Sequence, residues 1–272
     1  MDSFRFLFDF SISTIYNSID LMYKFCEVRV MKYTEKYEVL AHDSEPRGTV
    51  RCGAVLKYMQ ETANHQLRDE KPSYYELFDK GFAFILSRID IKFLKPLNRY
   101  ECFESSSWHC PSKGVTFQRC YELTRNGEVC VQANSAWALV GTNDGTIVKV
   151  GDVETDKYTT DEPTEPLSKL RFRIPKETEL KLVGTKKIMY SEIDVNTHMN
   201  NTHYPDMLCD FLPNPWELFV NEMGISFLSE APLDCELEIW RSDLTEDGYY
   251  YFRTKNGDKV NIEAKVKVAK YA

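Results

Sequence analysis

No stretch of the chain approaches the roughly 20 consecutive apolar residues that a membrane-spanning helix needs, because Arg5, Asp9 and Asp20 break even the Phe-rich start. That start also lacks a basic opening and a small-residue cleavage site, so neither a signal peptide nor a plastid transit peptide is expected. Positive charge is scarce: 34 Lys and Arg stand against 42 Asp and Glu, a net charge of −8. Nucleic-acid binding needs a basic face and is therefore not expected. The eight cysteines (Cys26, Cys52, Cys102, Cys110, Cys120, Cys130, Cys209 and Cys235) lack CxxC or CxH spacing, so no metal site is expected. They read as reduced, partly buried thiols of a cytoplasmic protein.

What is present is a globular composition, 43% apolar over 272 residues, enough for one large domain or two of about 130 residues. Between Tyr190 and Tyr204, Asp194, Asn196, His198 and Asn200 recur at every second position. In an extended segment that alternation places all four on one side. A carboxylate, two amides and an imidazole converging there suit polarising a carbonyl and moving a proton. His203 follows His198 by five residues, off its helical face, so a His–His metal pair is not expected.

The chain is written twice. In the first half an extended segment (35–42) leads through a Pro46/Gly48 turn to a helix near Gly53–Arg68, with apolar positions at helical spacing. Ser73-x-x-Glu76 reads as a capping box opening a short helix that Gly81 ends. Strands follow at 82–95, 100–110, 115–124 and 128–140, with Asn126-Gly127 as a hairpin turn. The second half repeats the order: a strand at 185–192, a helix at 201–212 capped by Asn200 or Asn201 and stopped by Pro213 and Pro215, then strands at 219–229, 233–241, 249–254 and 259–269, with a turn at Asn256-Gly257. Lys92-Phe-Leu-Lys-Pro-Leu97 mirrors Ser226-Phe-Leu-Ser-Glu-Ala-Pro-Leu233 with two residues inserted, Glu230 among them. The polar, Pro-containing stretch 153–169 reads as a surface linker.

One long helix followed by a meander of long strands describes a sheet wrapped round a helix, the hotdog arrangement. The expected fold is α+β: two tandem hotdog domains (31–152 and 170–272), each a long antiparallel sheet wrapped around a central helix and joined edge to edge. Residues 1–30 form an N-terminal extension, Met31 being a candidate native start; the rival reading is an amphipathic flap. Two copies in one chain already supply the pair that a single-domain relative needs, and a homodimer of the whole chain stays open. Sliding Gly48–Gly53 onto Asn196–Asn201 sets Val50 opposite His198 and Cys52 opposite Asn200. On that alignment the first copy has lost the polar set, the second half supplies the chemistry, and the first is free to build an apolar pocket.

The string Asp194-x-Asn196-x-His198-x-Asn200-Asn201-x-x-Tyr204, with Phe227-Leu-Ser-Glu230-Ala231-Pro, Leu86-Ser-Arg88-Ile and Ala133-Asn-Ser135-Ala-Trp137, resembles the acyl-acyl-carrier-protein (acyl-ACP) thioesterases of bacteria and plant plastids from about Met31 onward. The resemblance implies hydrolysis of fatty acyl-ACP to free fatty acid, no cofactor, and a phosphopantetheine-bearing carrier protein as partner. It makes Glu230 the water-activating base and Asp194, Asn196 and His198 its catalytic companions. Asn200, Asn201 and the amides of 201–204 are the candidates for capping or for holding the oxyanion. Plant members carry Cys after the glutamate; here Ala231 excludes a cysteine nucleophile at that site. The acyl chain is expected in the first half, against Val55, Met59, Phe82, Phe84 and Trp137, with Lys92, Lys95 and Arg99 as docking candidates for the acidic carrier. The same chemistry on acyl-coenzyme A, and a non-catalytic acyl-binding module, are the alternatives.

Overall fold

The structure, a computed structural model, describes residues 32–164 and 172–271. The N-terminal extension and positions 165–169 of the linker lie outside the described residues.

Among the described residues, eleven strands form one antiparallel sheet. The first half contributes β1 (Tyr33–Glu38), β2 (Phe82–Phe93), β3 (Cys102–Lys113), β4 (Thr116–Arg125), β5 (Glu128–Gly141) and the short β6 (Ile147–Val148). The second contributes β7 (Lys181–Lys187), β8 (Leu218–Phe227), β9 (Glu236–Arg241), β10 (Tyr249–Asn256) and β11 (Lys259–Lys270). Their order is β1-β3-β4-β5-β2-β8-β11-β10-β9-β7, with β6 on β5. Five strands on one side of the β2–β8 seam thus repeat the order of five on the other. Each set wraps a helix: α1 (Cys52–Asp69) in the first half and α3 (Tyr204–Asp210) in the second, while α2 (Tyr74–Asp79) is an addition after α1. Closing two sheets edge to edge leaves neither seam strand as an open template.

At the seam Asp90 pairs with Gly224, flanked by Arg88 with Ser226 and Lys92 with Glu222. Because Phe93 and Phe227 are equivalent, Gly224 is the counterpart of Asp90: the two stand on the pseudo-twofold axis. A Cβ at Gly224 would lie 2.6 Å from Asp90 Oδ1, so any larger residue there would have to displace the Asp90 carboxylate. Asp90 in turn pairs with Arg88 at 2.7 Å.

One apolar cluster runs through both halves. It joins Val55 and Met59 of α1 to Met207 and Leu208 of α3 and to Ile89, Ile91, Met223 and Ile225 at the seam. The helices meet closely because Gly53 has no side chain. A Cβ there would sit 2.5 Å from Asp206 Oδ2, and the Gly53 amide donates to Asp206 Oδ1 at 2.7 Å. The N-terminus of α1, whose own N-cap Arg51 makes no side-chain cap, is therefore capped from the other half.

The Ser73/Glu76 capping box forms as expected. So does the Asn126-Gly127 turn, both residues at positive φ. Other expectations shift. The second hairpin pairs Asn256 with Lys259, so its turn is Gly257-Asp258. The strand expected at 185–192 ends at Lys187, and Tyr190–Glu192 curl into a 3-10 turn. The helix expected at 201–212 is a 3-10 turn, Asn201–His203, followed by seven α-helical residues; Pro213 disfavours helix at the residue before it. The linker is not wholly superficial. Tyr158 is buried, donates to the Pro72 carbonyl at 2.6 Å and stacks on His109.

Candidate active site

In the second half the polar string does not lie in an extended segment. Ile193 bridges to Met199, the Asp194 amide donates to the His198 carbonyl, and the Thr197 amide donates to the Asp194 carbonyl. The result is a tight turn. Asp194 Oδ1 accepts from the Asn196 amide at 2.8 Å, an Asx-turn that fixes the loop, and Thr197 closes it at φ 67°. Period-two spacing failed here because the residues of this stretch hydrogen-bond among themselves as a turn and not to a strand partner. Asn196 is carried to the exposed tip.

The turn rests on the strand-end loop that carries Glu230. The Met199 amide donates to the Ala231 carbonyl at 2.9 Å, and His198 bridges to Pro232. His198 Nε2 consequently lies 3.8 Å from Glu230 Oε1, with the glutamate side chain 73% exposed. Asn200 is a cap: its Oδ1 accepts from the Thr202 amide and hydroxyl, both at 2.9 Å. The His203 amide is bound by the Asn200 carbonyl and that of Tyr204 by Asn201. Of the four amides considered for an oxyanion, three are thus engaged. Tyr204 is core: buried, its hydroxyl accepts from Asn261 Nδ2 at 3.1 Å, and burial pushes it up to about 12. Burial likewise holds the His203 imidazole below its usual value. Ala231 is fully buried.

The first half builds the same loop, bond for bond. Ser44 bridges to Val50, Glu45 N donates to Thr49 O, Gly48 N to Glu45 O, Val50 N to Leu97 O and Arg51 N to Asp43 O. Gly48 takes the positive φ that Thr197 takes in the other copy. These bonds set Glu45 opposite Asp194, Arg47 opposite Asn196, Thr49 opposite His198 and Arg51 opposite Asn200. The alignment of Val50 with His198 is therefore wrong by one residue, and the first copy is not stripped of polar groups. Nor is Glu230 an insertion. Lys95 N and Ser229 N make matching bonds to Cys130 O and Asn261 O, and Tyr100 and Asp234 share a positive φ, so Pro96 stands opposite Glu230. The polar set of the first copy is tied up within itself. Arg47 pairs with Glu45 at 2.7 Å, Thr49 Oγ1 donates to the same carboxylate, and Arg47 also donates to the Leu218 carbonyl at 3.0 Å.

A cavity of about 360 Å³ opens beside this first copy. None of the five expected pocket residues lines it. Val55 and Met59 are fully buried core; Phe82, Phe84 and Trp137 are partly buried around Leu77, Phe117 and Leu139. The inner wall under the end of α1 is moreover not purely apolar. Arg119 donates to Ser107 Oγ at 2.6 Å and to Gln66, and His109 Nε2 meets Glu70 Oε2 at 2.7 Å. Burial, reinforced by Arg119, lowers His109 to about 4, so at neutral pH its ring is uncharged. Lys95 pairs with Glu128 and lines the first-copy cavity. Among the described residues no cluster suited to a metal ion occurs, and no helix is long and apolar enough to cross a membrane.

Comparison with solved structures finds the same architecture. An acyl-ACP thioesterase from Bacteroides thetaiotaomicron superposes with TM-score 0.78 at 19% identity, covering 89% of this chain and 99% of that one. A putative oleoyl thioesterase from Lactobacillus plantarum gives 0.77 at 14%, covering 89% and 97%. The 12:0-ACP thioesterase of Umbellularia californica gives 0.75 at 13%, covering 89% and 98%. No match to a curated protein sequence reaches significance. The family model for the acyl-ACP thioesterase N-terminal domain matches residues 30–158 and that for the C-terminal domain residues 176–268; together with the doubled hotdog sheet, they establish that the chain belongs to the acyl-ACP thioesterase family.

Proposed function

We propose that the chain hydrolyses the thioester of fatty acyl-ACP by direct attack of water, releasing free fatty acid, with its working groups in the second half. The observation that carries the division of labour is the approach of His198 Nε2 to Glu230 Oε1, 3.8 Å across two chain segments, on a loop stiffened by the Asp194 Asx-turn. A thioester asks for little acid assistance, since a thiol of pKa near 8.5 leaves readily as thiolate. Glu230 takes a proton from water as its oxygen bonds to the acyl carbon. The oxyanion is received by the Asn201 amide and the Asn196 side chain. As the carbon–sulfur bond breaks, the proton taken up by Glu230 passes through the neighbouring His198 to the departing pantetheine thiolate, which restores both groups. Asp194 acts through the loop as a positioning residue, and Asn200 secures the turn that follows it.

Glu230 is open to solvent. Docking of the carrier and its acyl chain would cover it and strengthen its basicity. The acyl chain enters the first half near α2, where Phe82, Phe84 and Trp137 are only partly buried around Leu77 and can yield. The free thiols among the described residues support a reducing, cytoplasmic setting. A panel of acyl-ACP substrates of graded chain length, read by release of free thiol, tests the reading. Absence of thiol release from every member would overturn it, and a large kcat/KM preference for acyl-coenzyme A would transfer it to that carrier.

A further inference from the structure

The cavity beside the first-copy loop occupies the pseudo-twofold mate of the Glu230 site, and the proposed reaction does not use it. Its volume, about 360 Å³, lies within the range of small-molecule pockets. Its floor is apolar, with Val50, Phe93, Leu212 and Val220 among its lining residues. Its rim carries Arg51, just ahead of α1. Arg51 spends Nε on the Ser44 carbonyl at 2.9 Å and, among the described residues, no carboxylate lies within ion-pair distance of it. The other rim arginine, Arg47, is consumed by Glu45. We propose that this cavity is a second acyl-chain site that binds a free fatty carboxylate, its tail on the apolar floor and its carboxylate on Arg51.

The duplication explains the shape. A hotdog pair builds two clefts by the same chain path, and here one keeps Glu230 while the other has Pro96 in its place. With Pro96 in place of Glu230 and Thr49 in place of His198, the first cleft lacks the counterparts of the working pair, so an acyl ligand would be held rather than cut. Glu45, Asp206 and Asp210 also line the space. Glu45 is paired with Arg47; burial raises Asp206 and Asp210, and the nearby Arg51 acts against that rise in both, so its charge already faces the acidic side of the cavity. The inference does not rest on the hydrolytic reading: the site would bind equally in a chain without turnover.

Calorimetric titration of the full chain with dodecanoate tests it, with dodecanol as the neutral-head control. The Glu230→Gln chain should retain a dodecanoate site. Arg51→Gln should weaken that site at least about tenfold, the scale of one charge-assisted hydrogen bond. Val50→Trp, at a half-buried position, should fill the cavity and abolish it. A crystal structure with dodecanoate should place the carboxylate at Arg51. Undetectable binding, binding unchanged in both Arg51→Gln and Val50→Trp, dodecanol binding as tightly as dodecanoate, or a ligand seen only at Glu230 would each overturn the proposal.

Discussion

The two turn loops, 44–51 and 193–200, share a backbone and differ in what their side chains are left to do. In the first, Glu45, Arg47 and Thr49 satisfy one another and the neighbouring Leu218 carbonyl, so the loop is a clasp between the halves. In the second, one acid fixes the turn while, among the described residues, the side chains of His198 and the exposed Glu230 meet no ion-pair partner but each other. The difference teaches that reactive groups here are made by omission. A loop already held by its own hydrogen bonds can leave an imidazole and a carboxylate unspent.

The sharpest way to break this contrast is through the second loop. Glu230→Gln should lower kcat by at least about 10², and Asp194→Ala, which removes the Asx-turn acceptor, should lower it by less than that, both measured as thiol release from acyl-ACP. Near-normal turnover in Glu230→Gln would move the base role to Asp194. In the first loop the corresponding change should cost stability instead of rate. Glu45→Gln leaves Arg47 part-buried without its carboxylate and should destabilise by about 1–3 kcal/mol in urea unfolding, with kcat nearly unchanged. Smaller again is the cap that joins the halves. Asp206→Ala should cost about 1 kcal/mol. Asp206→Asn, which can still accept from Gly53, should gain on the wild type as pH rises. Burial raises the folded-state pKa of Asp206, so the wild type loses stability from the usual aspartate range up through that raised value, and asparagine has no proton to lose. Unfolding curves across that window should diverge and then run parallel. The smallest effect belongs to Ala231→Cys, which should leave activity no higher, because Ala231 is fully buried against the loop.

Much of the fold was legible because it rests on local signals. Alternating strands, the Ser73/Glu76 box and the Asn126-Gly127 turn announce themselves within a few residues of sequence. The site was legible in its membership, not its geometry. Asp194, His198 and Glu230 meet in one region, yet the alternation that first singled them out belongs to a turn. The one-residue error between the copies has a specific cause. Gly48 and Thr197 occupy the same left-handed position, and a β-branched threonine is an improbable sign of it. The two-residue insertion once assigned to Glu230 dissolves for a similar reason: backbone bonds, invisible in the residue names, keep Pro96 and Glu230 in step. The burial of Tyr158 was hidden because a polar, proline-bearing stretch reads as solvent-facing whatever single aromatic it carries. The polar wall around Arg119 depends on strand register, which composition does not encode.

The Asp90–Gly224 pair has a consequence for ancestry. Two identical copies meeting on a twofold axis must put the same residue on both sides, and a carboxylate facing a carboxylate, or glycine facing glycine, is then the only choice. This chain holds one of each, and the carboxylate of Asp90 occupies the room that Gly224 leaves empty. That arrangement cannot form between identical copies, because self-association of either half would place Asp90 against Asp90 or leave a void at Gly224. Covalent linkage thus works as an evolutionary ratchet: once the axis accepts unlike neighbours, the two halves can specialise but can no longer part.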